Sequence, residues 1–260
     1  MILFIIIDIV YGKIFVRTLI IIEKMMTESY VLITSAAFLG VVHTILGPDH
    51  YVPFIAIAKA RQWNISKTAL ITLLCGIGHI LSSVVIGMLG IILGWALYSV
   101  ETFESVRGDI AGWLLIAFGI VYTAWGINRF IKKKPHKHPH YHSEGIFHSH
   151  KHSHSDSHSH KDETEKSNIT PWALFIIFIF GPCEPLIPIV MYPAANHNYF
   201  LVIIVSLIFG ITTIATMLIL TFAGLYGLNL LQLNKLEKYI HLIAGITIIL
   251  CGISVKFLGL

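Results

Sequence analysis

Long apolar runs separated by short polar clusters organise this chain. The runs lie at 30–58, 68–97, 109–131, 171–192, 199–230 and 236–258. A helix needs ~20 apolar residues to cross ~30 Å of hydrocarbon, and each run has that length. Backbone in lipid must pair with itself, which leaves helices or a closed barrel. The runs are too long and too uniformly apolar for the alternating strands of a barrel. The pattern therefore predicts an all-α membrane protein, a six-helix polytopic bundle. The first 24 residues, "MILFIIIDIVYGKIFVRTLIII" and the two that follow, are also apolar but are broken by Asp8, Lys13 and Arg17. They stand as a separate N-terminal hydrophobic segment: a further span, an interfacial helix or a signal-like stretch without a clear cleavage site.

Two of the six runs are interrupted in the same way. "GPDHYVP" (47–53) breaks the first and "GPCEPLIP" (181–188) the fourth. The third runs of the two halves also agree, "GIVYTAWGI" (119–127) against "GITIILCGI" (245–253), with both Gly-Ile pairs at identical spacing. "GHILSSV" (78–84) and "GITTIATM" (210–217) form a weaker match. These blocks divide the chain into 1–24, a first three-helix repeat at 25–131, a loop at 132–168 and a second repeat at 169–260. Three spans per repeat invert the second copy, a plan that places a site where the broken helices meet. Ser83, Gly87, Gly90 and Gly94 make a small-residue stripe suited to close helix contact.

Composition agrees with lipid as the solvent, since only 12% of residues are charged where soluble domains carry about 25%. Counted over loops and leaving out the N-terminal segment, 13 Lys and Arg fall on one side of the six spans, and only Arg107 and Lys256 on the other. The positive-inside rule places the rich side, with the 132–168 loop, in the cytoplasm, so the expected location is the cell membrane. "ETFESVRGD" (101–109) reads as a solvated outer loop. Cys75, Cys183 and Cys251 are scattered and make no disulfide framework. No Walker loop, dinucleotide fingerprint or nucleophile elbow occurs, so neither an enzyme nor an ATP-driven pump is expected. The basic residues signal orientation, and no nucleic-acid partner is expected.

The loop is polar and Ser-rich, with no apolar period, and is expected to be disordered. It holds His136, His138, His140, His142, His148, His150, His152, His154, His158 and His160. So many flexible imidazoles suit buffering of borderline metals, Zn²⁺ among them.

The remaining candidates sit at the breaks. Pro48 ends the hydrogen-bond ladder and Gly47 loosens it, and Asp49 and His50 follow at once. His43 would share a face with His50 if helical geometry persisted. Ionisable groups at membrane depth usually mark a path or a site, and a carboxylate with imidazoles suits a divalent transition ion. His79 is a fourth candidate, with Ser82 and Ser83 as its expected hydrogen-bond partners. In the second half Glu184 calls for a nearby cation. Cys183 reads as a soft ligand, a small packing residue or part of a redox site. Cys75 and Cys251 read as packing residues.

"HTILGPDH", "GIGHILSS" and "FGPCEPLIPIVMYPAA", with the His-rich loop between two halves, resemble the nickel/cobalt transporter superfamily, in particular its NicO and UreH-like (urease accessory) branch. That resemblance implies transport of Ni²⁺ or Co²⁺ with no permanently bound cofactor. It also implies a metal chaperone or nickel-enzyme maturation factor as partner, beside the lipid bilayer. The family signature is H-x4-D-H, whereas five residues separate His43 from Asp49 here. "GPCEP" also resembles membrane thiol–disulfide electron carriers of the cytochrome-c-biogenesis type. Those carriers need a cysteine in each half, and Asp49 stands where the first would be. A third reading is a membrane metal chaperone or sensor that moves nothing.

Overall fold

The structure is a computed structural model that describes residues 2–94, 97–132, 140–141, 147–148, 169–230 and 236–258. The described residues form eight α-helices: α1 (Ile2–Leu46), α2 (Val52–Arg61), α3 (Ile65–Ile92), α4 (Leu97–Lys132), α5 (Ile169–Phe180), α6 (Leu186–Ala195), α7 (Tyr199–Leu230) and α8 (Ile240–Ile253). A π-helical turn, Ser254–Leu258, prolongs α8. α1 runs without interruption through the boundary expected at residue 24. In the 132–168 loop, His140–Tyr141 and Phe147–His148 pair as two-residue antiparallel strands. The other eight loop histidines lie outside the described residues.

Five helices are long and apolar enough to cross a membrane: Val16–Leu46, Ile65–Ile92, Leu97–Ile131, Tyr199–Leu230 and Ile240–Leu258. The helical, multi-pass class expected from the sequence holds, with five such helices among the described residues. The run at 171–192 is divided between the 12 residues of α5 and the 10 of α6. At 1.5 Å per residue, neither alone reaches ~30 Å. The third span also begins earlier than 109, because α4 starts at Leu97 and absorbs "ETFESVRGD". Large side chains such as Phe38, Val121, Phe200 and Ile211 are exposed on the outer faces, as lipid-facing residues are. The lipid bilayer is therefore the surrounding that this multi-pass protein requires.

α4 packs on α8 more extensively than any other two elements pack, followed by α1 on α7; α2 also packs on α8, and α3 on α5. The matched glycines explain the first of these. A Cβ on Gly119 would stand 2.8 Å from Ile249 N and 3.0 Å from Gly245 O, and one on Gly252 would stand 2.9 Å from Ile116 N and 3.1 Å from Gly112 O. The glycines of each half thus let its third helix approach the backbone of the other. The stripe at 83–94 behaves differently. Gly90 meets Val100, but Gly87 and Gly94 have open space around them, so they mediate no close crossing. Two apolar clusters fill the bundle. One gathers Phe54, Ile57, Cys75, Leu174, Met217 and Ile248, and the other Ala36, Cys183, Leu186, Val205 and Phe209.

Gly245→Val would drive a side chain into Thr123. Overpacking of this kind costs ~1–3 kcal/mol, and the detergent-solubilised protein should show a lower thermal midpoint and less monodisperse material. Gly87→Ala, which meets nothing, should leave both unchanged or slightly improved. Equal behaviour of the two variants would contradict the glycine-mediated crossing.

Candidate functional site

The first break follows from Pro48, which has no N–H to donate. The helical ladder ends at Gly47 N to His43 O, 2.9 Å, and a 3₁₀ turn, Pro48–His50, closes with His50 N to Gly47 O, 3.1 Å. This turn swings His50 back toward α1. The His43 and His50 rings meet edge to face at 4.7 Å between centroids. Asp49 does not cap α2, whose N-cap is Tyr51 with no side-chain bond. It accepts from the His50 ring instead, Oδ1 to Nδ1, 3.0 Å. Gly47 is required sterically, since a Cβ there would stand 2.6 Å from His50 Nδ1.

The second break, residues 181–185, lies between α5 and α6. Gly181 N reaches Phe178 O at 3.1 Å, and α6 begins with Leu186 N to Cys183 O, 3.0 Å. A Cβ on Gly181 would stand 2.9 Å from His79 Nδ1. Each break therefore uses its glycine to admit an imidazole. His79, buried on α3, joins the two. Its Nδ1 lies 3.3 Å from Phe178 O and its Nε2 3.4 Å from His50 Nε2. His43, His50 and His79 each place one ring nitrogen within 4.8 Å of the other two. Asp49, His79, Phe178 and Gly181 line one small cavity.

Glu184 and Cys183 do not join this histidine group. Glu184 faces outward and is exposed, so the buried-carboxylate partner expected for it is not needed. Cys183 is fully buried, with its backbone N–H donated to Glu104 Oε2 at 3.2 Å. Cys75, Cys183 and Cys251 are all free thiols. Ser82 and Ser83 do not serve the His79 ring. Ser82 Oγ donates to the His79 carbonyl at 2.8 Å, and both serines meet Arg107.

Sequence reasoning missed Glu104 and Arg107, which the solvated-loop reading of 101–109 had placed outside. Both are buried, Glu104 completely, and they form an ion pair one helical turn apart on α4. Arg107 Nη2 donates to Ser82 Oγ at 2.8 Å, Ile179 O at 2.7 Å and Gly181 O at 3.1 Å. Glu104 Oε2 also accepts from Ser83 Oγ at 3.3 Å. The carbonyls that α5 frees at its end are thus held by a guanidinium from α4, and the thiol-bearing residue is fixed by the carboxylate beside it. The i,i+3 spacing of Glu104 and Arg107 was visible in the sequence. So was their place on the stripe that continues through Ala111 and Leu115, both buried.

Two interrupted helices, one carrying histidines beside a carboxylate and the other a buried thiol, belong to a polytopic membrane protein. The chain belongs to the family of the cytochrome c biogenesis protein transmembrane region, whose sequence profile matches residues 32–254. No curated protein and no solved structure gives a match. The family corrects the resemblance to nickel/cobalt transporters, and with it the expectation of a nickel or cobalt transporter with a urease-accessory role. The match covers both breaks. The transporter signature was already imperfect, having one residue too many between His43 and Asp49.

Arg107→Met should lower the thermal midpoint more than Glu104→Gln. The first leaves a buried carboxylate unpaired and two carbonyls unbonded, a loss of ~3–5 kcal/mol for a broken buried pair. The second keeps an acceptor for the guanidinium. Equal midpoints, measured by intrinsic fluorescence in detergent, would contradict the clamp.

Proposed function

We propose that this protein is a membrane thiol–disulfide carrier that exchanges through Cys183. The observation that carries the reading is the family match across 32–254, with Cys183 standing in the Pro-flanked break of the second half. The first half has Asp49 at the corresponding place, so the two breaks do not supply a cysteine pair. Cys75 packs in the other apolar cluster, as does Cys251. Exchange therefore runs through mixed disulfides with partners. The Cys183 thiolate attacks the disulfide of an oxidised acceptor, forming a mixed disulfide and releasing one acceptor thiolate. A thiolate of a dithiol donor then attacks the Cys183 sulfur and frees the acceptor as a dithiol. The donor's second thiol closes its own disulfide and returns Cys183 to the thiol form. Two electrons pass from donor to acceptor.

Cys183 is buried, so exchange requires the α5–α6 break to open. Gly181 and the Arg107 clamp control that segment. On this reading the protein is a carrier rather than an enzyme with a substrate of its own, and its partners are dithiol and disulfide proteins. The bundle is two inverted three-helix repeats. Reciprocal packing supports this: α1, from the first half, lies on α7, and α3 lies on α5. The excess of Lys and Arg supports a cytoplasmic position for the 132–168 loop.

The test is disulfide trapping. In a chain carrying Cys75→Ser and Cys251→Ser, cells are quenched in acid, alkylated and run without reductant. Adducts of higher mass that reductant removes and Cys183→Ser abolishes are expected. Fully alkylated, unshifted Cys183 under both oxidising and reducing growth would refute thiol exchange.

A further inference from the structure

Thiol exchange at Cys183 makes no use of the three histidines, yet their arrangement is specific. His79 Nδ1 faces the Phe178 carbonyl at 3.3 Å. His50 Nδ1 faces the Gly47 carbonyl at 3.2 Å and Asp49 Oδ1 at 3.0 Å. Carbonyl and carboxylate oxygens only accept, so both Nδ1 atoms carry the ring hydrogen. In neutral rings both Nε2 atoms then present lone pairs, and these lie 3.4 Å apart. His43 adds a third imidazole, whose Nε2 is buried without a hydrogen-bond partner and is free to present a lone pair in the tautomer protonated at Nδ1. Acceptors converging in this way repel one another unless something positive lies between them.

Two cations could do so, a shared proton or a metal ion. A shared proton joins atoms about 3 Å apart, as in ordinary hydrogen bonds, and 3.4 Å is long for one. Two nitrogens each ~2.0–2.1 Å from a tetrahedral ion stand ~3.3–3.4 Å apart, which matches the His50–His79 pair. His43 meets His50 edge to face at 80° and His50 meets His79 at 88°, while the His43 and His79 rings lie nearly parallel at 10° with their centroids 6.4 Å apart. The Nδ1 bonds to carbonyl and carboxylate are those that orient imidazoles around an ion and raise their basicity. The Asp49 carboxylate offsets an ion's charge, and the buried Glu104–Arg107 pair is already neutral as a unit.

We propose that His43, His50 and His79 bind one transition-metal ion of the borderline class, such as Zn²⁺, as a resident centre where the two helix breaks meet. The ion is held, not carried across the membrane. Three nitrogens within 4.8 Å contract onto one ion if the His43 ring turns, and no hydrogen bond holds its Nε2 in place. The site goes beyond the thiol reading and stands without it. It supplies the first half with a centre at the place where a cysteine is lacking.

The test is zinc content of the full chain. Purified protein is loaded with Zn²⁺, exchanged exhaustively against nitrilotriacetate and analysed by mass spectrometry of metal and protein. The native chain is compared with His79→Gln and with His43→Gln. The second variant gives up no hydrogen bond of Nε2 and so isolates ligation from folding. Loop histidines are common to all three chains and cancel in the differences. The native chain should hold one more zinc per molecule than either variant, and Zn²⁺ should raise its thermal midpoint but not theirs. Equal zinc contents and equal midpoint shifts would overturn the proposal and leave a shared proton as the cation. Cys183 trapping, run on the same chains, separates this outcome from failure of the thiol reading.

Discussion

Breaking a helix inside an apolar bundle frees backbone groups that lipid cannot satisfy, and this architecture depends on how the protein answers that demand. At the second break the Arg107 guanidinium takes the carbonyls of Ile179 and Gly181, while His79 takes that of Phe178. At the first, His50 folds back on Gly47 and Asp49. Unsatisfied groups of this kind cost several kcal/mol each in a hydrocarbon environment. The clamp is therefore a condition for the breaks to exist. It also narrows which side chains can be functional, because the satisfied breaks leave His43 Nε2 without a hydrogen-bond partner, set Nε2 of His50 and His79 against each other at 3.4 Å, and bury one thiol.

The glycines give the same logic a steric form. Gly47 and Gly181 stand where a Cβ would collide with an imidazole, and Gly119, Gly245 and Gly252 stand where a Cβ would collide with the opposing helix. Broken helices need rigid neighbours, and the α4–α8 crossing supplies one, since α4 also carries the clamp. The thiol exchange proposed at Cys183 and the metal centre proposed at the histidines would then occupy neighbouring breaks. On these proposals Asp49, which stands in the first break where Cys183 stands in the second, would be the residue that shifts the chemistry from a paired thiol toward imidazole and carboxylate.

Much of this was legible in the sequence, for physical reasons. Apolar run length identified helices, and Gly-Pro pairs located both breaks to the residue. His43, Asp49, His50 and His79 were singled out because ionisable groups are rare in such runs, and the structure does bring the three histidines together. The clamp was lost because polar residues at 101–109 resemble a loop, and only packing reveals that a long helix can bury an ion pair in its first turns. Glu184 was misjudged because it lies in the turn between Pro182 and Pro185, ahead of α6, where no helical period tells which way a side chain points, and it is exposed. The family was misjudged because four conspicuous polar residues outweighed one cysteine, although "GPCEP" was the better guide to relationship.

The central claim is that the two interrupted helices meet at one working site. Cross-linking of an Asp49→Cys chain with native Cys183 tests it most directly. Asp49 of the first break and Gly181 of the second line one cavity, and Cys183 follows Gly181 by two residues. The expected result is that a membrane-permeant thiol oxidant closes a bond between Cys183 and the introduced thiol. Intact mass should fall by about the two hydrogens that a disulfide removes. Reductant should reverse the change, and Cys183→Ser in the same background should abolish it. A chain that retains both thiols under oxidant, while remaining folded and monodisperse, would show that the breaks do not share a site.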